Sequence, residues 1–288
     1  MIPGSTVDRI PLIEFPSFKV RIPPLPTQRK IAAILSAYDD LIENNTRRIA
    51  LLEQMAQLLY REWFVRFRFP GHESVRMVES ELGEIPEGWR IRKLEQFGEI
   101  VTGKTPSKKV PEYYDNYMPF IKIPDMHGNM FCIQTSDSLS KAGAESQENK
   151  TLPPNSLCVS CIGSAGLVTI TTVPSQTNQQ INSIILRDET DREFLYFALV
   201  GLEQTIQQYG ATGATMVNLS RGKFIDLQVL YPGSEILDVY HRLTFPQFDE
   251  IRVLQLKNEI LRRTRDLLLP RLISGEVDVV RMAVAGLD

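Results

Sequence analysis

Three short segments of this sequence gather side chains suited to meeting a nucleic acid. Thr102-Gly103-Lys104-Thr105-Pro106-Ser107-Lys108-Lys109 puts three lysines, two threonines and a serine on a stretch shaped by Gly103 and Pro106. Gln176-Thr177-Asn178-Gln179-Gln180 concentrates amides, the groups that pair bidentately with an adenine edge. Gly210-Ala211-Thr212-Gly213-Ala214-Thr215 is a run of small residues with Arg221 and Lys223 close behind. Phosphates call for cations and base edges for paired donors and acceptors, and the segments together offer both. The candidate contact set is Lys104, Thr105, Ser107, Lys108, Lys109, Lys122, Ser164, Gln176, Asn178, Gln179, Gln180, Thr212, Thr215, Arg221 and Lys223. The same inventory fits ordinary polar surface loops, and that alternative stays open at this level.

Other chemistry is matched only in form. Gly98 to Thr105 satisfies the phosphate-binding pattern with Lys104-Thr105 at its end, but that motif needs a helix to start there. Pro106 and Pro111 leave such a helix no room, and Ile100-Val101 crowd the cradle. Asp125 with Glu148 and Lys150 resembles the acidic-plus-lysine set of a metal-dependent nuclease, a pattern too short to exclude chance. Cys158, Cys161, Cys132 and His127 make a zinc inventory, yet Cys158 and Cys161 fall within one β-rich run, where side chains three apart point to opposite faces. Core cysteines are the expectation. No Asn-Pro-Pro-Tyr-like tetrapeptide or glycine-rich cofactor loop marks a methyltransferase, so we expect neither a catalytic residue nor a metal.

The elements that must carry these segments announce themselves by repetition. A shift of 209 pairs Gly4 with Gly213, Phe15 with Phe224, Val20 with Val229 and Pro23 with Pro232, and a shift of 210 pairs Asp39 with Asp249, Leu51 with Leu261 and Arg61 with Arg271. Self-similarity in order and almost without gaps points to two copies of one element. Each copy reads as a long helix. Ile31, Leu35, Tyr38, Ile42, Asn45, Ile49, Leu52, Ala56, Leu59 and Trp63 step by four and three, a coiled-coil seam. From Thr27 to Phe64 it would be about 57 Å long, and Val65, Phe67 and Phe69 then alternate like a strand. Ile251, Leu254, Leu261 and Leu268 mark the second copy, with Pro270 and Gly275 expected to end it. Asn45 and Asn258 interrupt the two seams, and a buried Asn can fix register. The competing reading is a polar residue on a half-exposed seam.

Between the helices, Phe120 to Ile123, Leu157 to Ile162, Val168 to Val173 and Ile181 to Leu186 read as strands, and Asp191 to Tyr209 as helix. The expected architecture is α+β: one mixed α/β domain (residues 72–235) flanked by two long helices (the first in 24–71, the second in 236–288 with a C-terminal tail) forming an antiparallel coiled coil, after a short opening stretch (1–23). Net charge is -3, yet Trp89 to Pro124 holds seven basic and four acidic residues, a local excess of cations. No secretory or membrane-spanning run is apparent, and three cysteines give no disulfide framework, so a cytoplasmic protein is expected.

Several stretches resemble the specificity subunits of type I restriction-modification systems. Pro23-Pro24-Leu25-Pro26-Thr27-Gln28-Arg29-Lys30-Ile31 is similar to the opening of a conserved region in that family, which continues through Leu51 to Ala56 and Leu59-Tyr60-Arg61-Glu62-Trp63-Phe64 to Phe69-Pro70-Gly71. Glu84-Ile85-Pro86-Glu87-Gly88-Trp89 resembles the entry to a target recognition domain, and Leu267 to Glu276 the family's C-terminal end. The resemblance implies a non-catalytic subunit that binds double-stranded DNA. Its helices hold two recognition domains apart and dock modification subunits, which use S-adenosylmethionine, and restriction subunits, which use ATP and Mg²⁺. This sequence holds one complete domain after what resembles the tail of another, at residues 1–23. A second copy of the chain is therefore the expected partner, and Ile31, Leu35, Tyr38, Ile42, Asn45, Ile49, Leu52, Leu59, Leu254, Leu261 and Leu268 are the expected helix-pair or partner interface. A metal-dependent nuclease, a coiled-coil adaptor and an inactive fragment are the alternatives.

Overall fold

The computed structural model describes residues 12–19, 22–81, 83–210 and 218–279. Thr212 and Thr215 lie outside the described residues. Two compact units divide the chain: residues 1–42 with 260–288, and residues 43–259.

The seam residues do become buried along a long helix. Helix α1 (Leu25–Tyr60) is followed by one π-type turn at Arg61–Val65. Along it Ile31, Ala56 and Trp63 are buried and the other seam positions half-buried, while Leu41, Leu51, Met55 and Leu58 stay exposed. The expected strand at Val65, Phe67 and Phe69 does not form. Phe67 takes a left-handed backbone (φ 58°), and Phe64, Phe67 and Phe69 all turn onto Trp89. Aromatic burial around one indole overrides the alternation.

Four strands and then a fifth follow: β1 (Met77–Ser80), β2 (Gly83–Pro86), β3 (Arg90–Lys93), β4 (Gly98–Thr102) and β5 (Tyr114–Ile121). Next come β6 (Phe131–Cys132), β7 (Asp137–Leu139), the one-turn α2 (Lys141–Glu145), β8 (Leu157–Ser160), β9 (Val168–Thr171), β10 (Gln176–Thr177) and β11 (Ile181–Leu186). The expected helix over Asp191 to Tyr209 is two helices, α3 (Arg192–Gly201) and α4 (Glu203–Gly210), parted after Gly201, a residue costly inside a helix. After α5 (Arg221–Ile225) and β12 (Gln228–Tyr231) comes α6 (Ser234–Ser274).

A five-stranded sheet in the order β4-β11-β8-β9-β6 forms the centre of the 43–259 unit, beside a three-stranded sheet in the order β10-β5-β7. The neighbours β4, β11, β8 and β9 pair antiparallel. Leu157, Val159, Ile170 and Ile184 join one core with Phe194, Leu195, Tyr240 and Phe248. Cys158 and Ile181 belong to a second core with Val101, Ile121 and Cys132. Consecutive strand residues thus feed separate cores, as the period-two geometry requires.

Helices α1 and α6 pack antiparallel. In the 43–259 unit Asn45 Nδ2 donates to Asn258 Oδ1 at 2.9 Å, Asn258 Nδ2 to Thr46 Oγ1 at 3.2 Å, and Arg48 pairs with Glu250 at 2.6 Å. In the other unit Arg265 pairs with Asp39 at 2.5 Å, and Ile31 packs with Leu272 and Val279. Helix α6 passes through Pro246 and through Pro270, where the sequence suggested an end, and stops at Ser274 before a left-handed Gly275 (φ 80°). An interior proline costs about 3 kcal/mol. Burial of Leu272 beyond Pro270 offsets that cost.

Candidate nucleic-acid interface

Antiparallel pairing brings chosen loops to one end of the central sheet. The C-terminal end of β4, the start of β11, the end of β8 and the start of β9 are neighbours there, with Thr102 opposite Asn182, Ile181 opposite Ser160 and Val159 opposite Val168. The loop after β4, the turn from β8 to β9 and residues 178–180 therefore emerge side by side. Beneath them a polar row links β4, β11 and the residue that follows β8. Thr102 Oγ1 donates to Asn182 Oδ1 at 2.6 Å, and Asn182 Nδ2 to Cys161 Sγ at 3.2 Å. The parallel pair β10–β5 adds Lys122 to this end, because the Asn178 amide donates to the Ile121 carbonyl at 3.2 Å.

Close approach explains Gly103. A Cβ there would collide with the Asn178 and Thr177 carbonyl oxygens and the Thr177 hydroxyl, so only glycine lets the two loops touch. Across that contact Lys104 N donates to Thr177 O at 2.9 Å and Thr105 Oγ1 to Gln179 Oε1 at 2.7 Å. Lys104, Ser107, Lys108 and Lys109 are exposed, and the three lysines form no ion pair among the described residues. Gln179 is exposed and Gln180 half-buried. Ser164 is exposed on the β8–β9 turn, which Ser160 Oγ braces by donating to Ser164 O at 2.5 Å. Asn218 bridges to Ile162 of the same turn.

Other candidates are differently placed. Gln176 is fully buried, and its Nε2 donates to Ala144 O and Thr151 Oγ1, each at 2.9 Å. Asn178 is 8% exposed, and its amide is engaged with Gln180. Lys122 is held by Asp137 at 2.7 Å. Arg221 reaches the Ile100 carbonyl at 3.1 Å and lines a cleft along β4 with Arg92, Glu99 and Arg187, apart from the loops. Lys223 is exposed on α5. Sequence reasoning missed Tyr114 and Gln147, which reach the β4 loop from more distant positions.

The formal motifs resolve into structure. Gly98 to Thr102 is strand, and no helix begins at Lys104-Thr105. Asp125 spends its carboxylate on the backbone amides of Lys122 and Ser136, at 2.8 and 2.9 Å. The three cysteines are buried and free, and burial pushes Cys158 and Cys132 up to about 12 and Cys161 up to about 11. Among the described residues no group of three or more His, Cys, Asp or Glu could hold a metal, and no helix is long and apolar enough to cross a membrane.

Residues 2–54 and 86–262 match the family described as type I restriction modification DNA specificity domain. The chain belongs to that family. Its role within type I systems is recognition of DNA rather than catalysis. The chain is similar to the type I restriction enzyme HindI specificity subunit of Haemophilus influenzae, with 35% identity over 96% of this chain and 73% of that one. The MjaIX specificity subunit of Methanocaldococcus jannaschii is 27% identical over 96% of this chain and 64% of its own. The crystal structure of a type I S subunit from M. genitalium shares the fold, with a TM-score of 0.60 at 15% identity over 86% of this chain and 61% of that one. This specificity chain thus spans between three fifths and three quarters of those relatives.

Proposed function

We propose that the loops at this end of the five-stranded sheet read one half of a bipartite DNA target and so direct a type I modification and restriction complex. The observation that carries the reading is the convergence of Lys104, Thr105, Lys108, Lys109, Ser164, Gln179 and Gln180 on strand ends tied together beneath them. The lysines supply phosphate contacts, and Thr105, Gln179 and Gln180 supply base-edge donors and acceptors. Adenine methylation with S-adenosylmethionine belongs to modification subunits docked on the long helices. Cleavage with ATP and Mg²⁺ belongs to restriction subunits, all acting on DNA in the cytoplasm. Membership in the specificity family supports this division of labour.

A second copy of the chain, joined through the long helices, completes the target. A twofold pair of identical readers matches an interrupted palindrome. Selection from a pool of randomised duplexes by the chain with its modification subunit tests both points. Enrichment of a gapped palindrome is expected. An asymmetric gapped motif would replace the second copy with a different specificity half, and no enrichment above random would refute DNA reading.

A further inference from the structure

We propose that two buried amides, Gln147 and Gln176, are positioning residues that set the base discrimination of the Lys104–Pro106 segment; the inference rests on the DNA-reading function above. Gln147 is 4% exposed and Gln176 fully buried. Gln147 Nε2 donates to the Lys104 carbonyl at 2.7 Å and to Gln176 Oε1 at 2.8 Å. Gln176 Nε2 in turn donates to Ala144 O and Thr151 Oγ1, which anchors the relay on α2 and the segment after it. The relay runs in one direction only. Both partners of Gln147 Nε2 are acceptor oxygens, so turning that amide over would set oxygen against oxygen.

This arrangement leaves Gln147 Oε1 buried without a partner among the described residues. An orphaned buried acceptor is costly, because it has lost its water and gained no donor. The fold tolerates it to hold one loop carbonyl. The same short segment is fixed at three further points: Lys104 N on Thr177 O, Thr105 Oγ1 on Gln179 Oε1, and Pro106 O, which accepts from Tyr114 Oη at 2.8 Å. Both peptide groups around Lys104 are thereby oriented while its side chain remains exposed. Immobilising a polar loop before it binds lowers the ordering cost and narrows the poses in which its side chains meet a base. A solvated surface loop would need no such internal bracing.

The test compares the duplex selected by the wild-type complex with those selected by Q147M and Y114F. The first substitution removes the relay at nearly constant volume, and the second removes only the Pro106 clamp from a half-buried site, so at least one variant folds. L237A, a change at a fully buried position of α6 outside the Gln147–Gln176 relay, serves as the control for stability. Preference for the favoured base is expected to fall about tenfold at one or more positions of the half-site in Q147M and Y114F. In L237A the motif is expected to persist at lower yield. An unchanged motif in both loop variants overturns the inference, as does an equally degraded motif in L237A. A wild-type complex that enriches no motif overturns instead the DNA-reading function on which the inference stands.

Discussion

At the scale of single residues, side-chain type alone was a poor guide to exposure. Lys104, Lys108, Lys109 and Gln179 reach solvent, whereas Gln176 lies in a two-residue strand whose parallel neighbour, Phe120, is distant in sequence. That long-range pairing, which no local pattern shows, turns Gln176 inward. The lysines make a quantitative prediction: K104A/K108A/K109A weakens duplex binding and flattens the plot of log affinity against log salt by about 0.9 for each phosphate that is no longer neutralised. An unchanged slope would remove these lysines from the interface. Stability also carries a pH signature around α3. The hydrogen bond to Glu193 raises His241 above its ordinary 6.5, and burial, then Asp188, push Asp191 up to about 6 from 3.8. The His241 contribution is full below pH 6.5 and is lost as pH rises through its higher folded value. Asp191 acts in the same sense, because between pH 3.8 and about 6 the folded chain keeps a proton that the unfolded chain has released. Urea midpoints followed with rising pH should therefore lose the decline above pH 6.5 in H241N and the decline between pH 3.8 and about 6 in D191N. Profiles identical to wild type would contradict this.

At the scale of elements, periodicity located the long helices well because one wet face and one dry face leave a plain record in sequence. The seam from Ile31 to Trp63 coincides with the less exposed positions of α1 and the turn after it. Ends were less legible. Pro270 fails to stop α6 because Leu272 is buried beyond it, and Val65, Phe67 and Phe69 follow Trp89 instead of a sheet. The asparagines on the two seams meet each other, and we propose that this pair sets the register of the helices. Removing one partner strands the other, so N258L should cost about 1–3 kcal/mol. The double variant N45L/N258L should recover most of that loss, since both polar groups are gone. Equal losses in the single and double variants, read from denaturant midpoints, would exclude the pairing as a source of stability.

At the scale of the whole molecule, the internal repeat was the most informative feature. Its 209-residue shift equals the spacing between the starts of the two long helices at Leu25 and Ser234. Net charge was uninformative, because a chain of net charge -3 can still present exposed lysines on one loop. The meeting of loops from β4, β8 and β11 was not legible at all, since strand order is a property of the sheet and not of any segment. Its internal supports, Gln147 and Tyr114, left no local signal for the same reason. The central claim is that these loops give a methylating complex its target. The most direct measurement is a genome-wide map of methyladenine in cells co-expressing this chain with its modification subunit. A new gapped and palindromic methylated motif, absent when this chain is omitted, is the predicted result. No new methylation, with both proteins folded and purifying together, would contradict it.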